Sequence, residues 1–278
     1  MNRWELANCR PHVQEFLESR GFVWLEQNKP CQVLHSRTSI GLRESKIDAC
    51  YNSYTFRRLL KLLTTKRSEG PFSESFLAQK TGCSNGEKLR EYLDILLLEG
   101  LVEQQGNSWA IHPEVAADND GPTMEWYVAQ KFAEKLHWSA TPSVCLDGLP
   151  CNDYDVIAVR GSEMMCVECK CTEPDRIEPR EVEAFHERHQ FLAPKLSLLL
   201  VDSSKPIDSL AARVSKAFYN DRDNPPLKDT GGGRMFFIFP NVYVADTRTD
   251  NRSDGILTSL QDCLRHHYTN YRPVAAIG

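Results

Sequence analysis

The chain has 278 residues, of which 41% are hydrophobic and 26% are charged, and its formal net charge is −5. This composition is ordinary for a soluble globular protein with room for one large or two ordinary domains, and the charge is not that of a protein that coats nucleic acid. No apolar run approaches the roughly 20 residues of a membrane span, and the start MNRWELANCRPHVQEF is too polar for a signal peptide. We therefore expect a cytoplasmic protein that has no membrane partner.

The amino-terminal segment, residues 1–50, has the pattern of one helix followed by short strands. Apolar spacing predicts a helix over residues 5–19, Gly21 interrupts the pattern, and strands are expected around residues 22–25 and 32–35. No residue type in this segment indicates a chemistry. We interpret it as a cap or dimerisation segment of unknown role.

Residues 51–118 resemble a winged-helix domain. Helices are predicted over residues 55–65, after Ser73 and after Asn85, and a hairpin with a polar turn at Gly106 follows them. The exposed face of the third helix mixes acidic and basic side chains, which does not suit a phosphate-rich groove. Those positions are Glu87, Lys88, Arg90, Glu91 and Asp94. We favour a structural linker or dimer module, with protein partners, over a DNA reader.

Residues 119–278 predict a mixed α/β sheet with helices on both faces, because strand-like and helix-like patterns alternate along the segment. The predicted helices cover residues 123–137, 178–192, 207–219 and 257–267. The predicted strands cover residues 143–146, 154–159, 164–169, 196–201, 235–239 and 242–245. A loop rich in Pro and Gly is expected over residues 221–233.

The two central strands of this segment predict a tight hairpin. Gly161 and Ser162 form the Gly-X pair of a two-residue type II′ turn, and this turn sets Arg160 opposite Glu163. Counting outward from the turn pairs Asp155 with Glu168, and directly opposed residues share a face. Lys170 lies on the same face as Glu168 because strand side chains alternate. Two carboxylates and an ammonium group therefore converge.

This convergence has a chemical interpretation. Two opposed carboxylates at the end of an apolar strand pair repel each other, and a divalent cation would relieve the repulsion. Hard oxygen ligands without nearby His suit Mg²⁺ or Mn²⁺ better than Zn²⁺. Such a site can hydrolyse phosphodiesters, with Lys170 orienting the nucleophile or stabilising negative charge. The structural alternative is a solvated pair between Glu168 and Lys170, worth less than about 1 kcal/mol.

The order of an acidic helix residue, an Asp at a strand start, a hairpin and a Glu-X-Lys motif resembles the PD-(D/E)xK, restriction-endonuclease-like nucleases. The motifs ND.DV..VRG and VECK are most similar to the nuclease domains of CRISPR-associated CARF effectors, over residues 121–204. Tyr154 stands where the name-giving Pro would be. Residues 1–50 are too few for a CARF domain, so ligand-gated activation is not carried over.

The resemblance implies a restriction-endonuclease-like fold after the winged helix, and an endonuclease acting on DNA, or on RNA, in prokaryotic defence or mobile-element biology. It implies Asp155, Glu168, Lys170 and Glu125 as catalytic residues. Asp155, Glu168, Glu125 and the backbone carbonyl of Cys169 would hold Mg²⁺ or Mn²⁺, and a homodimer is expected. Candidate substrate contacts are Arg160, Arg180, His186 and Gln190.

Two further observations complete the sequence interpretation. The ten cysteines lack the paired spacing of a zinc ribbon, and Cys166 and Cys169 should point to opposite faces of their strand, so we expect reduced thiols.

Two other functions stay open. One is a winged-helix regulatory or interaction protein whose nuclease-like domain is inactive, and the other is a structural subunit.

Overall fold

The computed structural model of the protein describes residues 3–25, 46–115, 121–148, 153–219, 227–230, 232–238, 240–248 and 254–270. The strand predicted at residues 32–35 lies outside these ranges, as do Cys31 and Cys151. The described cysteines form no disulfide with one another. None of the described helices is both long enough and apolar enough to cross a bilayer.

Helices and strands follow the predicted alternation along most of the chain. The α-helices are α1 (Arg3–Ser19), α2 (Lys46–Tyr51), α3 (Tyr54–Thr65), α4 (Glu74–Thr81), α5 (Gly86–Leu98), α6 (Gly121–Lys131), α7 (Pro179–Leu192), α8 (Asp208–Tyr219) and α9 (Gly255–Asn270). The strands are β1 (Trp24–Leu25), β2 (Phe72–Ser73), β3 (Val102–Gln105), β4 (Ser108–Ile111), β5 (Ser139–Leu146), β6 (Tyr154–Arg160), β7 (Glu163–Lys170), β8 (Leu196–Val201), β9 (Leu227–Asp229), β10 (Met235–Ile238) and β11 (Val242–Asp246).

The main sheet of the described chain has eight strands in the order β1-β5-β6-β7-β8-β11-β10-β9. Strands β1, β5, β6 and β7 are antiparallel neighbours, β7, β8 and β11 are parallel, and β10 and β9 are again antiparallel. The parallel strands are apolar on both faces, as strands covered by helices on both sides must be. The expectation of a mixed sheet flanked by helices is therefore confirmed.

Helices pack on both faces of this sheet. On one face, Met124 of α6 and Leu260 of α9 share a core with Val156 and Leu198. On the other, α1 covers β5 and β6, while α7 and α8 cover β8 and β11. Helix α1 and strand β1 thus contribute directly to the main sheet unit, and a role for residues 1–50 in dimerisation stays a prediction.

A second unit combines α3, α4 and α5 with a three-stranded antiparallel sheet in the order β2-β4-β3. Both predicted N-caps form, because Ser73 Oγ accepts from Phe76 N at 3.3 Å and Asn85 Oδ1 accepts from Lys88 N at 3.1 Å. The element order is that of the three predicted helices and hairpin. Strand β2 and the preceding helix α2 are additions that the sequence pattern did not indicate, and the winged-helix assignment stays a prediction.

The second unit joins the main sheet through buried polar groups. Arg57 of α3 is 1% exposed, and its Nη2 lies 2.8 Å from Asp202 Oδ1, just after β8. Lys131 of α6 donates to Asn52 Oδ1 at 2.8 Å and pairs with Asp254 at 2.8 Å. Buried charges need such partners, so these contacts fix how the two units meet.

Three predicted elements differ from the structure. Helix α6 ends at Lys131 and continues as a π-helical turn over Phe132–Leu136, which His137 closes at a φ of 58°; apolar spacing over five residues does not separate the two helix types. Strand β5 begins at Ser139 rather than at residue 143, because Pro142 inside it obscured the pattern. The expected loop over residues 221–233 contains β9, which pairs with β10 at the sheet edge.

Candidate active site

The β6–β7 hairpin has the predicted register. Arg160 lies opposite Glu163, and the pairing continues step by step to Val156 and Val167. Gly161 has a φ of 58°, which a type II′ turn requires at its first central position and which glycine adopts without strain. The paired register ends at Val156 and Val167, and Asp155 and Glu168 are the next residues of the two strands.

Asp155 lies where β6 twists. Tyr154 packs with α1 on one face of the sheet, whereas Val156 packs with α6 on the other. Residues two apart on a flat strand share a face, so the strand rotates between them. The half-buried Asp155 carboxylate accepts a hydrogen bond from Cys169 N at 2.7 Å, which ties it to the residue after Glu168.

Glu168 and Lys170 form part of a charge network with α7. Glu168 Oε1 lies 3.1 Å from Lys170 Nζ, and Glu168 Oε2 lies 2.7 Å from Arg188 Nη2. Lys170 Nζ also lies 2.9 Å from Glu181 Oε1. Glu168 is 5% exposed and Arg188 is 6% exposed, so this is not the solvated surface pair of the structural alternative.

Sequence reasoning missed Glu181 as part of the site and gave Arg188 no role. One signal was available. The two residues are seven apart, which is about two helical turns, so they lie on the same face of α7. That face also begins with a capping box, since Glu181 Oε2 accepts from Glu178 N at 2.8 Å. The next α-helix after Lys170 carries an acid and a base on one face, and this pattern made it a candidate partner for the charges of Glu168 and Lys170.

Glu125 reaches the site from α6. Its Oε2 accepts from Ser143 Oγ at 2.6 Å. Ser143 falls between Pro142 and Val144 of β5, which pair with Val156 and Tyr154, so it lies beside Asp155. Ser143 has a φ of 51°, an uncommon backbone conformation for a residue other than glycine that is often found at functional sites.

Burial and neighbouring carboxylates raise the pKa of Asp155 and of Glu125. Burial raises the pKa of Asp155 well above its usual value, and the charges of Glu168 and Glu125 raise it further. Burial also raises the pKa of Glu125 to about 7, with contributions from Asp153 and Glu168. Three carboxyl groups therefore lie within electrostatic reach of one another, and their combined negative charge is unfavourable without a cation.

Lys170 keeps its positive charge. Burial alone would lower its pKa, but the Glu168 charge and the hydrogen bonds to Glu181 and Glu168 raise it above the usual value for lysine. The ammonium group therefore serves as a hydrogen-bond donor and a positive charge rather than as a base.

The carboxylate oxygens of this cluster are the ligand type that a hard divalent cation binds. Their arrangement in the structure does not surround a cation position. Carboxylates that repel one another in a half-buried position are the ligands that Mg²⁺ and Mn²⁺ prefer. Within the described ranges, however, no three His, Cys, Asp or Glu side chains are grouped to hold a metal ion. Both oxygens of Glu168 contact cationic side chains instead, Oε1 with Lys170 and Oε2 with Arg188.

The predicted substrate contacts lie at different distances from the cluster. Arg180 is exposed in the first turn of α7, beside Glu181, and pairs with Glu178. Arg160 lies at the turn end of the hairpin, five residues or about 17 Å along β6 from Asp155, and stacks over Trp138 at 4.7 Å. The structure does not bring Arg160 to the cluster.

His186 and Gln190 lie on the far side of α7. They are about 140° and 180° around the helix from Glu181. His186 packs against Phe218 of α8 with ring centroids 4.5 Å apart, and its Nε2 lies 2.9 Å from Gln190 Nε2. Their proposed contact with a substrate stays a prediction, and in this arrangement they face α8 instead of Glu168.

The cysteines of β7 lie as predicted. Cys166 packs in the core beneath α1 and Cys169 in the core beneath α6, on opposite faces of the sheet. The two thiols therefore do not share one metal ion. The backbone N–H of Cys169 contacts Asp155, and its carbonyl as a metal ligand stays a prediction.

No protein-family model matches the chain, and no curated protein sequence matches it. The crystal structure of protein VC1899 from Vibrio cholerae matches at a TM-score of 0.42 and 14% identity, over 75% of this chain and 59% of that one. The structure of Can2 from Sulfobacillus thermosulfidooxidans in complex with cyclic tetra-adenylate matches at a TM-score of 0.49 and 14% identity, over 91% of this chain and 60% of that one. The chain spans about three fifths of both proteins, and at these TM-scores the likeness carries no argument.

Proposed function

We propose that the chain is a metal-dependent phosphodiesterase that cleaves nucleic acid. The observation that carries the proposal is the convergence of Asp155, Glu168 and Glu125 beside the Lys170 ammonium group, with the pKa of Asp155 and of Glu125 raised by burial and by neighbouring carboxylates. A cluster built only for stability would not place three acids within electrostatic reach of one another, because their repulsion opposes folding. Carboxyl groups with a perturbed pKa beside a charged lysine are typical of functional sites.

Asp155, Glu125, Glu168 and the Cys169 carbonyl would hold the cation, which we expect to be Mg²⁺ or Mn²⁺. When bound, the ion would supply Lewis acidity to a phosphate oxygen and lower the pKa of a coordinated water. Glu168 is the residue that must exchange partners, because its oxygens contact Lys170 and Arg188. Arg188 and Glu181 then act as positioning residues for Glu168 and Lys170.

The chain's own groups have separate tasks in this proposal. Lys170 donates a hydrogen bond to the attacking water or to a phosphate oxygen and offsets developing negative charge there. Glu125 has a pKa of about 7, so its carboxyl group can take up or release a proton near neutral pH. Ser143 donates to Glu125 Oε2 and so holds the carboxyl group in one orientation.

The finer parts of the proposal rest on the sequence motifs. The Asp155 and Glu168-Cys169-Lys170 pattern supports a restriction-endonuclease-like fold and an endonuclease in prokaryotic defence or mobile-element biology. We propose DNA as the substrate, with RNA as the alternative, and a homodimer as the active form. The second unit is proposed to be a winged helix that binds protein partners.

One observation favours a second candidate function. Both oxygens of Glu168 contact cationic side chains, and no three acidic side chains of the described chain are grouped so as to hold a metal ion. An inactive nuclease-like domain in a regulatory or interaction protein would have this arrangement permanently. In the active enzyme, Glu168 would release one cationic partner when Mg²⁺ or Mn²⁺ binds.

The test is to incubate the full chain with single-stranded DNA, double-stranded DNA and single-stranded RNA in Mn²⁺, Mg²⁺ or EDTA. The proposal predicts cleavage of at least one substrate with metal, none in EDTA, and none by Asp155→Ala. The matched control Asp262→Ala removes an exposed acid of α9 and should cleave as the wild type does. Absence of cleavage on every substrate, together with absence of Mn²⁺ binding, would favour the inactive domain.

A further inference from the structure

A second polar cavity lies at the opposite end of β7 from the acid cluster. It has a volume of about 440 Å³ and lies between the end of α1, the β6–β7 turn, the loop after α7 and the loop before β11. Met164 lines it, four residues or about 13 Å along the strand from Glu168. Its volume is within the range of small-ligand pockets, about 300–1,000 Å³.

The charge of this cavity is positive. Arg20 and Lys195 line it, and no Asp or Glu is among the described lining residues. Neither cation forms an ion pair with an acid within the described ranges, although the chain as a whole has a net charge of −5. Burial lowers the pKa of His267, the charge of Glu163 raises it by a smaller amount, and the Glu163 carboxylate accepts a hydrogen bond from Tyr268.

Both cations have exposed side chains, and local contacts fix the backbone that carries them. Asn241 Nδ2 donates to the carbonyl oxygens of Pro194 at 3.0 Å and Lys195 at 3.3 Å, which fixes the loop that carries Lys195. Ala193, with a φ of 44°, ends α7 and turns the chain into this loop. The Arg20 guanidinium stacks over Phe16 at 5.3 Å, at the end of α1. Cations without an acidic partner are available to bind an anion.

We propose that this Arg20–Lys195 cavity binds a phosphate group. Arg20, Lys195 and Ser162 all line the cavity, and their guanidinium, ammonium and hydroxyl groups are the donors that phosphate oxygens require. Pro194 and Pro240 give the cavity an apolar wall that can contact the body of a phosphate ester. The site is separate from the acid cluster, and the proposal does not depend on the chain being a nuclease.

The phosphate group could belong to a free small molecule or to a nucleic-acid backbone, and one experiment separates these sources. Binding of inorganic phosphate to the full chain is measured by calorimetry in EDTA, at constant ionic strength against chloride. Binding of a single-stranded oligonucleotide without terminal phosphates is measured in the same buffer. Without metal, cleavage does not interfere and the acid cluster repels both probes.

The variant is Arg20→Gln/Lys195→Gln. The matched control is Lys135→Gln/Arg265→Gln, which removes the same charge from two exposed side chains outside the cavity. We expect the dissociation constant for inorganic phosphate to rise at least tenfold in the variant and to stay unchanged in the control. A parallel loss of oligonucleotide affinity assigns the phosphate to nucleic acid, and an unchanged oligonucleotide affinity assigns it to a free ligand. Equal losses in both double variants, or equal behaviour of phosphate and chloride in the wild type, would overturn the proposal.

Discussion

Arg188 Nη2 of α7 lies 2.7 Å from Glu168 Oε2 of β7, and both side chains are buried. This pair links the helix that follows the hairpin to the strand that carries the Glu-X-Lys motif. A buried pair gives little net stability compared with apolar side chains, but removal of one partner leaves the other charge uncompensated. The pair is therefore a test of how strongly α7 fixes the acid cluster.

Arg188→Met should destabilise the protein by about 3 kcal/mol, because Glu168 then has only Lys170 to compensate its buried charge. The double variant Glu168→Gln/Arg188→Met should recover most of this loss, since no unpaired charge remains. Urea unfolding at pH 7.5 measures both. Equal stability of the single and double variants would contradict the assigned pair.

Asp155→Asn should stabilise the metal-free protein at pH 8. The pKa of Asp155 is raised by burial first and then by the Glu168 and Glu125 charges, so its ionised form opposes folding at high pH. Asn keeps an oxygen for the Cys169 N–H and removes the charge. Thermal unfolding in EDTA should show that the variant gains about 1 kcal/mol or more in free energy of unfolding. In buffer without EDTA, added Mn²⁺ should stabilise the wild type but not the variant. Asp262→Asn is the control for loss of an exposed carboxylate.

Glu125→Gln tests the pH dependence. The pKa of Glu125 is raised in the folded protein from 4.5 to about 7, so the folded state binds more protons than the unfolded state between these values. Its contribution to stability is fully present below pH 4.5 and is lost as the pH rises to about 7. The variant lacks this loss, so its stability relative to the wild type should increase from pH 4.5 to 7 and then level off. A difference that does not change with pH in metal-free unfolding would disprove the coupling.

Arg57→Met tests the junction between the two units. Arg57 binds Asp202 and donates to Thr247 Oγ1 at 2.9 Å, and Asp202 N in turn donates to the Lys170 carbonyl at 2.7 Å. Loss of the buried guanidinium should cost about 3–5 kcal/mol. If the chain cleaves nucleic acid, kcat should fall more than KM changes, because Lys170 loses its fixed position. The adjacent Arg58→Met removes a more exposed cation and should cost less than about 1 kcal/mol.

Local features explain how far the sequence predicts the site. The Gly161 turn and the alternation of β6 and β7 are determined by neighbouring residues, and they set the register that leaves Asp155 and Glu168 at the same end of the hairpin. The partners Glu181 and Arg188 depend on how α7 rotates when it packs on the sheet, which the spacing of its residues does not specify. Sequence proximity also suggested Arg160, although the length of an extended strand carries it away from Asp155.

The same reasoning applies to the fold. Helices with clear N-caps and strands with continuous apolar runs are predicted well, as Ser73, Asn85 and β8 show. The predicted strand β5 begins four residues too late because Pro142 interrupts its pattern. Pro142 and the left-handed Ser143 both lie beside the twist at Asp155, so this departure from the local pattern occurs at the site itself.

The measurement that tests the central claim most directly is the rate of Mn²⁺-dependent nucleic-acid cleavage by Lys170→Met, compared with the wild type and with Lys135→Met under single-turnover conditions. Lys170 contacts Glu168 and Glu181, whereas Lys135 is an exposed cation near the end of the π-helical turn. We predict that Lys170→Met lowers the cleavage rate at least about 100-fold. Lys135→Met should cleave at the wild-type rate, and both variants should keep the wild-type fold. Cleavage by Lys170→Met at the wild-type rate, or wild-type cleavage that persists in EDTA, would contradict the account.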